Sequence, residues 1–217
     1  SNSPAEAIHQ TREAEAAGAD ACLLVTPYYN RPTQEGLLRH FEAIAAATST
    51  PIVLYNVPPR TGGDLAAATV GRLARIEGVV GIKDACGDAT RVTQILTAVK
   101  DQGVENFFIL SGEDAQPRPV MGLGGVGTTS VTANVLPAQM SAFCSAFLSG
   151  DTVRAVSLDE QLQPVHDILF VESSPTPTKR ALADMGRIPA GIRLPLIPLS
   201  AEHREAVRQR VQAAGNS

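Results

Sequence analysis

Apolar residues fall along this chain in two alternating rhythms. Short runs bounded by turn residues occur at Cys22–Val25, Ile52–Leu54, Val79–Ile82, Phe107–Leu110 and Gly127–Val131. Their length and β-branched content predict strands, and runs of this kind are buried on both faces. Between them the apolar positions repeat with helical spacing. Ser3-Pro4-Ala5-Glu6 has the form of a capping box with proline at the first helical position, and Gly18 supplies the stop. Thr33 is placed to cap a helix carrying Leu37, Leu38, Phe41 and Ile44. Asp64 is placed to cap one carrying Leu65, Val70, Leu73 and Ile76, and Asp88 precedes one carrying Val92, Ile95 and Val99. This alternation predicts βαβ units and a parallel sheet. From about Pro137 to the end the pattern is helical, with breaks expected near Pro164, Pro175 and Pro189.

Composition narrows the function classes. A chain of 217 residues can bury a full core in one domain, and 44% apolar with 18% charged residues is an ordinary globular balance. A net charge of −4 without a basic stripe argues against a nucleic-acid or anionic-membrane partner. No apolar run approaches the ~20 residues of a membrane span, and nothing at the start resembles a signal peptide. Cys22, Cys86 and Cys144 lack CxxC spacing, so neither a disulfide framework nor a zinc site is indicated. Cys22 and Cys144 read as small core residues. His9, His40, His166 and His203 show no ligand spacing. The protein is expected to be cytoplasmic and metal-free.

The chemistry-bearing residues share one location. Thr26-Pro27-Tyr28-Tyr29 follows the first strand, and Tyr55 to Gly62 (YNVPPRTG) follows the second. Lys83 ends the third strand, Ser111-Gly112 follows the fourth, and Thr132-Ala133-Asn134 follows the fifth. C-terminal strand ends are where barrels and open α/β sheets place their active sites. On position alone, two readings of Lys83 stand. It marks the strand end and snorkels to water, or burial lowers its pKa and leaves an amine that attacks a ketone to form a Schiff base. A tyrosine such as Tyr55 reads equally as a core residue, and Arg60 as a solvated loop charge. Gly122-Leu123-Gly124-Gly125-Val126-Gly127 matches GxGxxG, but it follows a short helix and feeds a strand. A dinucleotide fingerprint needs the opposite order, so these glycines read as a close approach of helix to sheet.

Together, TPYYNRPTQEGL, YNVPPRTG, GIKDACGD, LSGEDA and GGVGTTSVTANV resemble the 4-hydroxy-tetrahydrodipicolinate synthase (dihydrodipicolinate synthase) family, over essentially the whole chain and in family order. That family belongs to the pyruvate-dependent class I aldolase-like (β/α)8 TIM barrels. The resemblance implies an α/β fold in which residues 1–136 supply the last five of eight βα units. Residues 137–217 would then hold the last barrel helix and a C-terminal helical segment. Ser1-Asn2-Ser3 resembles the loop after the third strand, so the start of the barrel, with its adjacent threonines, is expected to be missing. About 75–80 residues would restore the usual barrel size, and the remnant would expose two unpaired parallel edges.

The resemblance also implies a lyase of lysine (diaminopimelate) biosynthesis, condensing pyruvate with L-aspartate-4-semialdehyde without a cofactor. Lys83 resembles the Schiff-base lysine and Tyr55 the proton-relaying tyrosine. Tyr29 resembles the tyrosine that completes the relay in a neighbouring subunit, which implies a homo-oligomer, a tetramer built from tight dimers. Arg60 resembles the arginine that holds the aldehyde substrate's carboxylate, a task suited to a planar fork. Backbone at Gly112 and Thr129 resembles the lining of the pyruvate site. Asn2, Glu6 and Tyr28 resemble part of an allosteric L-lysine site. Two alternatives accompany this reading: a relative acting on a 2-keto-3-deoxy sugar acid or N-acetylneuraminate, and a truncated, catalytically silent subunit.

Overall fold

The computed structural model describes residues 1–215. Its elements, in chain order, are α1 (Pro4–Ala16), β1 (Cys22–Val25), α2 (Gln34–Ala45), β2 (Ile52–Asn56), α3 (Pro58–Thr61) and α4 (Ala67–Ala74). They continue with β3 (Val79–Asp84), α5 (Arg91–Lys100), β4 (Phe108–Ser111), α6 (Pro117–Gly122) and β5 (Gly127–Thr128). A 3-10 turn at Thr132–Asn134 precedes α7 (Pro137–Leu148), α8 (Thr152–Ile168), α9 (Thr176–Asp184) and α10 (Ala201–Gly215). Two compact units result, Ser1–Thr129 and a second that begins at Ser130. No described helix is long and apolar enough to cross a membrane.

The first unit is a single parallel sheet in the order β1-β2-β3-β4-β5. Sequential order without reversal is the wall of a β/α barrel, whereas doubly wound sheets reverse at a switch point. All five predicted strands form, and the architecture is that of consecutive units of a (β/α)8 barrel. Strand alternation divides the side chains between two faces. Ile52, Leu54, Ile82 and Ile109 are essentially buried against Leu37, Phe41, Ile44, Leu73 and Ile95 of the helices. Each such side chain contributes roughly 1.5–3 kcal/mol of burial free energy. The opposite face carries Val53, Tyr55, Lys83 and Leu110, with Tyr55 beside Lys83 and Lys83 beside Leu110 in register.

The second unit is helical. Met140 and Phe143 of α7, Leu162, Val165 and Ile168 of α8, and Val207 and Val211 of α10 are buried in it.

Three local expectations give way to tertiary ones. Ser3 stands at the N-cap of α1 with proline next, but its side chain caps nothing. Glu6 instead accepts from Gln10 Nε2 at 2.9 Å, so the capping box does not form. Asp64 caps no helix, because α4 starts at Ala67 and the carboxylate is taken by Asn56 and Arg91. Capping there comes from another helix: Gln34 Oε1 accepts from Ala66 N–H at 3.0 Å and from Thr69 Oγ1 at 2.6 Å. Pro164 lies inside α8 without ending it. The lost backbone bond is outweighed by Leu162, Val165 and Ile168, which bury on both sides of it. The cap by Thr33 does form, accepting from Gly36 N–H at 3.2 Å, and Gly18 ends α1 with φ 88°.

Candidate active site

Two strand ends build the centre of the site. Tyr55 is the penultimate residue of β2 and Lys83 the penultimate residue of β3, and the two are register partners. Lys83 Nζ lies 4.2 Å from the centroid of the Tyr55 ring. The π face favours an ammonium, whereas burial holds the Lys83 pKa below its ordinary value, with Asp114 and Glu113 pulling the other way. Burial, joined by Glu113 and opposed by Arg60, pushes the Tyr55 phenol up. The pair is therefore an amine that gives up its proton more readily than an ordinary lysine, beside a phenol that holds its proton more firmly than an ordinary tyrosine.

Backbone closes the next side. Gly112 N–H donates to Asp84 O at 2.8 Å, and Thr129 N–H donates to Ser111 O at 2.9 Å. A methyl group at Gly112 would fall 3.1 Å from Lys83 Cε and 2.7 Å from Ala85 Cβ, so only glycine lets this turn pass the lysine stem. Glu113 follows at once, its carboxyl pKa raised by burial, then by Asp114 and Asp84, against the pull of Lys83 and Arg60. Arg60 sits exposed on α3, close enough for its charge to act on both Tyr55 and Glu113. The structure thus gathers Lys83, Tyr55, Gly112 and Arg60.

Tyr29 is exposed. Its backbone is left-handed, φ 72°, its N–H donates to Thr61 O at 3.1 Å, and its ring is 90% exposed. Thr129 is exposed beyond β5 and meets the site through its backbone. Asn2 Nδ2 donates to Tyr28 O at 3.3 Å and Asn2 O accepts from Asn30 at 3.2 Å, which joins Asn2 to the Tyr28 loop; Glu6 lies exposed on α1. In the GxGxxG stretch a Cβ at Gly125 would meet Val120 Cγ1 at 2.7 Å and one at Gly124 would meet Leu96 Cδ1 at 2.8 Å, so these two glycines serve close packing.

Sequence reasoning passed over Glu113 and a polar group behind the strands. Asn56, fully buried, donates to Asp64 Oδ1 at 2.8 Å and to Asp84 Oδ1 at 2.7 Å, and accepts from Leu65 N–H at 3.0 Å. Arg91 donates to Asp84 Oδ2 at 3.2 Å, to Asp64 Oδ2 at 3.0 Å and to Leu65 O at 2.7 Å. The available signal was position, since Asn56 and Asp84 directly follow Tyr55 and Lys83. An apolar cleft lined by Thr176, Lys179, Arg180 and Leu199 lies within the helical unit and holds none of these groups.

A sequence profile described as the Dihydrodipicolinate synthetase family matches residues 1–214. The chain is 51% identical over 214 residues to the 4-hydroxy-tetrahydrodipicolinate synthase of Methylococcus capsulatus, covering 99% of this chain and 72% of that protein. Its fold superimposes with a TM-score of 0.93, at 48% identity, on the chloride-inhibited dihydrodipicolinate synthase from Acinetobacter baumannii complexed with pyruvate, covering 99% of this chain and 72% of that one. On the corresponding enzyme from Cyanidioschyzon merolae with lysine bound, the TM-score is 0.92 at 34% identity, with the same coverage.

Proposed function

The chain belongs to the dihydrodipicolinate synthetase family, and on that premise we propose that it catalyses the condensation of pyruvate with L-aspartate-4-semialdehyde through a Schiff base on Lys83. The amine attacks the ketone carbon of pyruvate, and loss of water gives the imine. A methyl proton then leaves to give an enamine, whose carbon attacks the aldehyde. The substrate's own amine displaces Lys83 and closes the ring, so no external oxidant or reductant enters. The observation that carries the reading is the half-buried Lys83 amine over the Tyr55 ring at a strand end. Tyr55 donates and takes the protons of imine and enamine formation, a role supported by its place beside Lys83 at the strand end. Arg60 holds the aldehyde's carboxylate, and the backbone of Gly112 and Thr129 lines the pyruvate site. Relatives named as synthases favour this reaction over cleavage of sugar acids, and a relative complexed with pyruvate supports the first substrate.

Borohydride reduction in the presence of pyruvate, followed by peptide mass spectrometry, tests the reading. The adduct is expected on Lys83 and absent from Lys83→Ala. An adduct on another lysine, or none in folded protein, overturns it.

We propose further that the protein is a homo-oligomer in which Tyr29 serves the neighbouring subunit. An aromatic ring held outward on a strained, left-handed backbone supports this. Co-assembled Lys83→Ala and Tyr29→Phe subunits should then regain activity that neither has alone. L-lysine, bound in a relative, is the proposed effector at Asn2, Glu6 and Tyr28; activity unchanged at millimolar lysine would remove that role.

A further inference from the structure

The face of the sheet that turns away from the reacting groups carries a polar cluster at the level of the site. Asn56 and Asp84 are register partners on β2 and β3, one residue beyond Tyr55 and Lys83. Side chains alternate along a strand, so the layer that bears the amine and phenol on one face bears an amide and a carboxylate on the other. The Asp84 and Arg91 side chains are only 9% and 13% exposed. The orientation of the Asn56 amide follows from chemistry: its oxygen accepts the Leu65 N–H, which leaves its NH2 to both carboxylates. Arg91 closes the ring by reaching the second oxygen of each carboxylate and the Leu65 carbonyl. Four separate pieces of chain meet here: β2, β3, the segment after α3, and the first turn of α5. Backbone continues the clamp, since Ala85 N–H donates to Asn56 O at 2.8 Å and Gly112 N–H to Asp84 O at 2.8 Å.

We propose that Arg91, Asn56 and Asp84 are positioning residues for the reaction, a rigid back-plate that holds the Lys83 amine against Tyr55 for attack on the keto acid. The arrangement suits positioning rather than chemistry: none of the three faces the reacting groups. Cys86 beside it adds no nucleophile, because burial and Asp84 push its thiol up to about 12. The assignment rests on Lys83 as the nucleophile.

The test measures adduct formation on Lys83 in the full-length protein, by timed borohydride quenching with pyruvate and peptide mass spectrometry. The final yield counts competent subunits, and the rate is expressed per competent subunit. Displacing a reacting group by about 1 Å can cost up to ~100-fold, so Arg91→Gln and Asn56→Ala should slow the rate at least tenfold. Arg91→Lys, which keeps the charge but cannot span both carboxylates, should fall between them and the parent. Arg72→Gln, which breaks the exposed ion pair to Glu35 between α2 and α4, should leave the rate unchanged. A purely structural role predicts fewer competent subunits, each reacting at the parental rate. Rates within twofold of the parent for Arg91→Lys and for whichever of the other two variants folds overturn the proposal. A parent protein that forms no Lys83 adduct overturns the Schiff-base reading itself, a different and recognisable result.

Discussion

Replacing Gly112 by alanine places one methyl group where the site has no room. The new Cβ would lie 2.7 Å from Ala85 Cβ, 3.2 Å from Asp84 O and 3.1 Å from Lys83 Cε. Carbon atoms in contact prefer about 3.5–4.0 Å, so something must move. Ala85 cannot yield cheaply: it is buried, and its N–H is bonded to Asn56 O. The turn itself is tied to Asp84 O through the Gly112 N–H at 2.8 Å. The lysine stem is the soft partner, so relief swings Lys83 away from Tyr55. Overpacking of this kind costs about 1–3 kcal/mol, and in a protein of this size each kcal/mol lowers the thermal midpoint by roughly 2–4 °C. A displaced amine should slow pyruvate trapping by ~10–100-fold. Gly122→Ala is the control, since a Cβ there meets nothing within 4 Å. Scanning calorimetry and timed borohydride trapping read the two effects separately. A Gly112→Ala protein that melts and traps like the parent would refute the close approach of this turn to the lysine.

Tyr55→Phe should leave trapping on Lys83 possible and slow turnover by ~10²–10⁴-fold, because the phenol moves protons and makes no covalent bond; turnover at the parental rate would remove the assigned role. Arg60→Ala should cost ~1.5–3 kcal/mol in binding of the aldehyde substrate, as for a lost charge-assisted hydrogen bond, with the pyruvate KM little changed. Equal damage to both substrates would place Arg60 elsewhere. Burial holds the His40 imidazole pKa down to about 4, against 6.5 in its ordinary state. Between those values the unfolded chain binds the extra proton and the folded one does not, so this contribution is intact above pH 6.5 and is lost as pH falls toward 4. Denaturant titrations across that window should show a shallower decline for His40→Leu than for the parent, and equal slopes would contradict the assignment.

What could be read before the structure was whatever depends on nearby sequence. The β-branched runs announced the strands, and Lys83 and Tyr55 stood out because each closes such a run. Thr33 capped its helix because a cap needs only the next three residues. Asp64 looked like another cap by the same rule, yet its partners are Asn56 and Arg91, the latter on α5. No local pattern reports a bond whose existence depends on two strands being in register. Pro164 shows the reverse failure: the local rule was sound, and packing of α8 on both sides of it prevailed. Glu113 was visible within LSGEDA, but its raised pKa comes from burial and from Asp114 and Asp84 around it, which the letters alone do not disclose.

Register is also what makes the site. The pairing of β2 with β3 begins at Ile52 and Val79, then shifts, so that Val53 lies opposite Gly81 and Val80 is the extra residue. Had the first pairing continued without that residue, Tyr55 would stand opposite Ile82, and Lys83 would stand opposite Asn56. Every side chain beyond the shift would also change face relative to its neighbour. The apolar residues between oppose such a slip, since it would part Ile82 from Leu54 in the helix-side core they share. The polar pair at the strand ends adds to this, because Asn56 and Asp84 bond each other in the shifted register, and a buried carboxylate without its partners is expensive. The bulge thus creates the register that sets the amine over the phenol, and the amide–carboxylate–guanidinium cluster on the far face helps to select it.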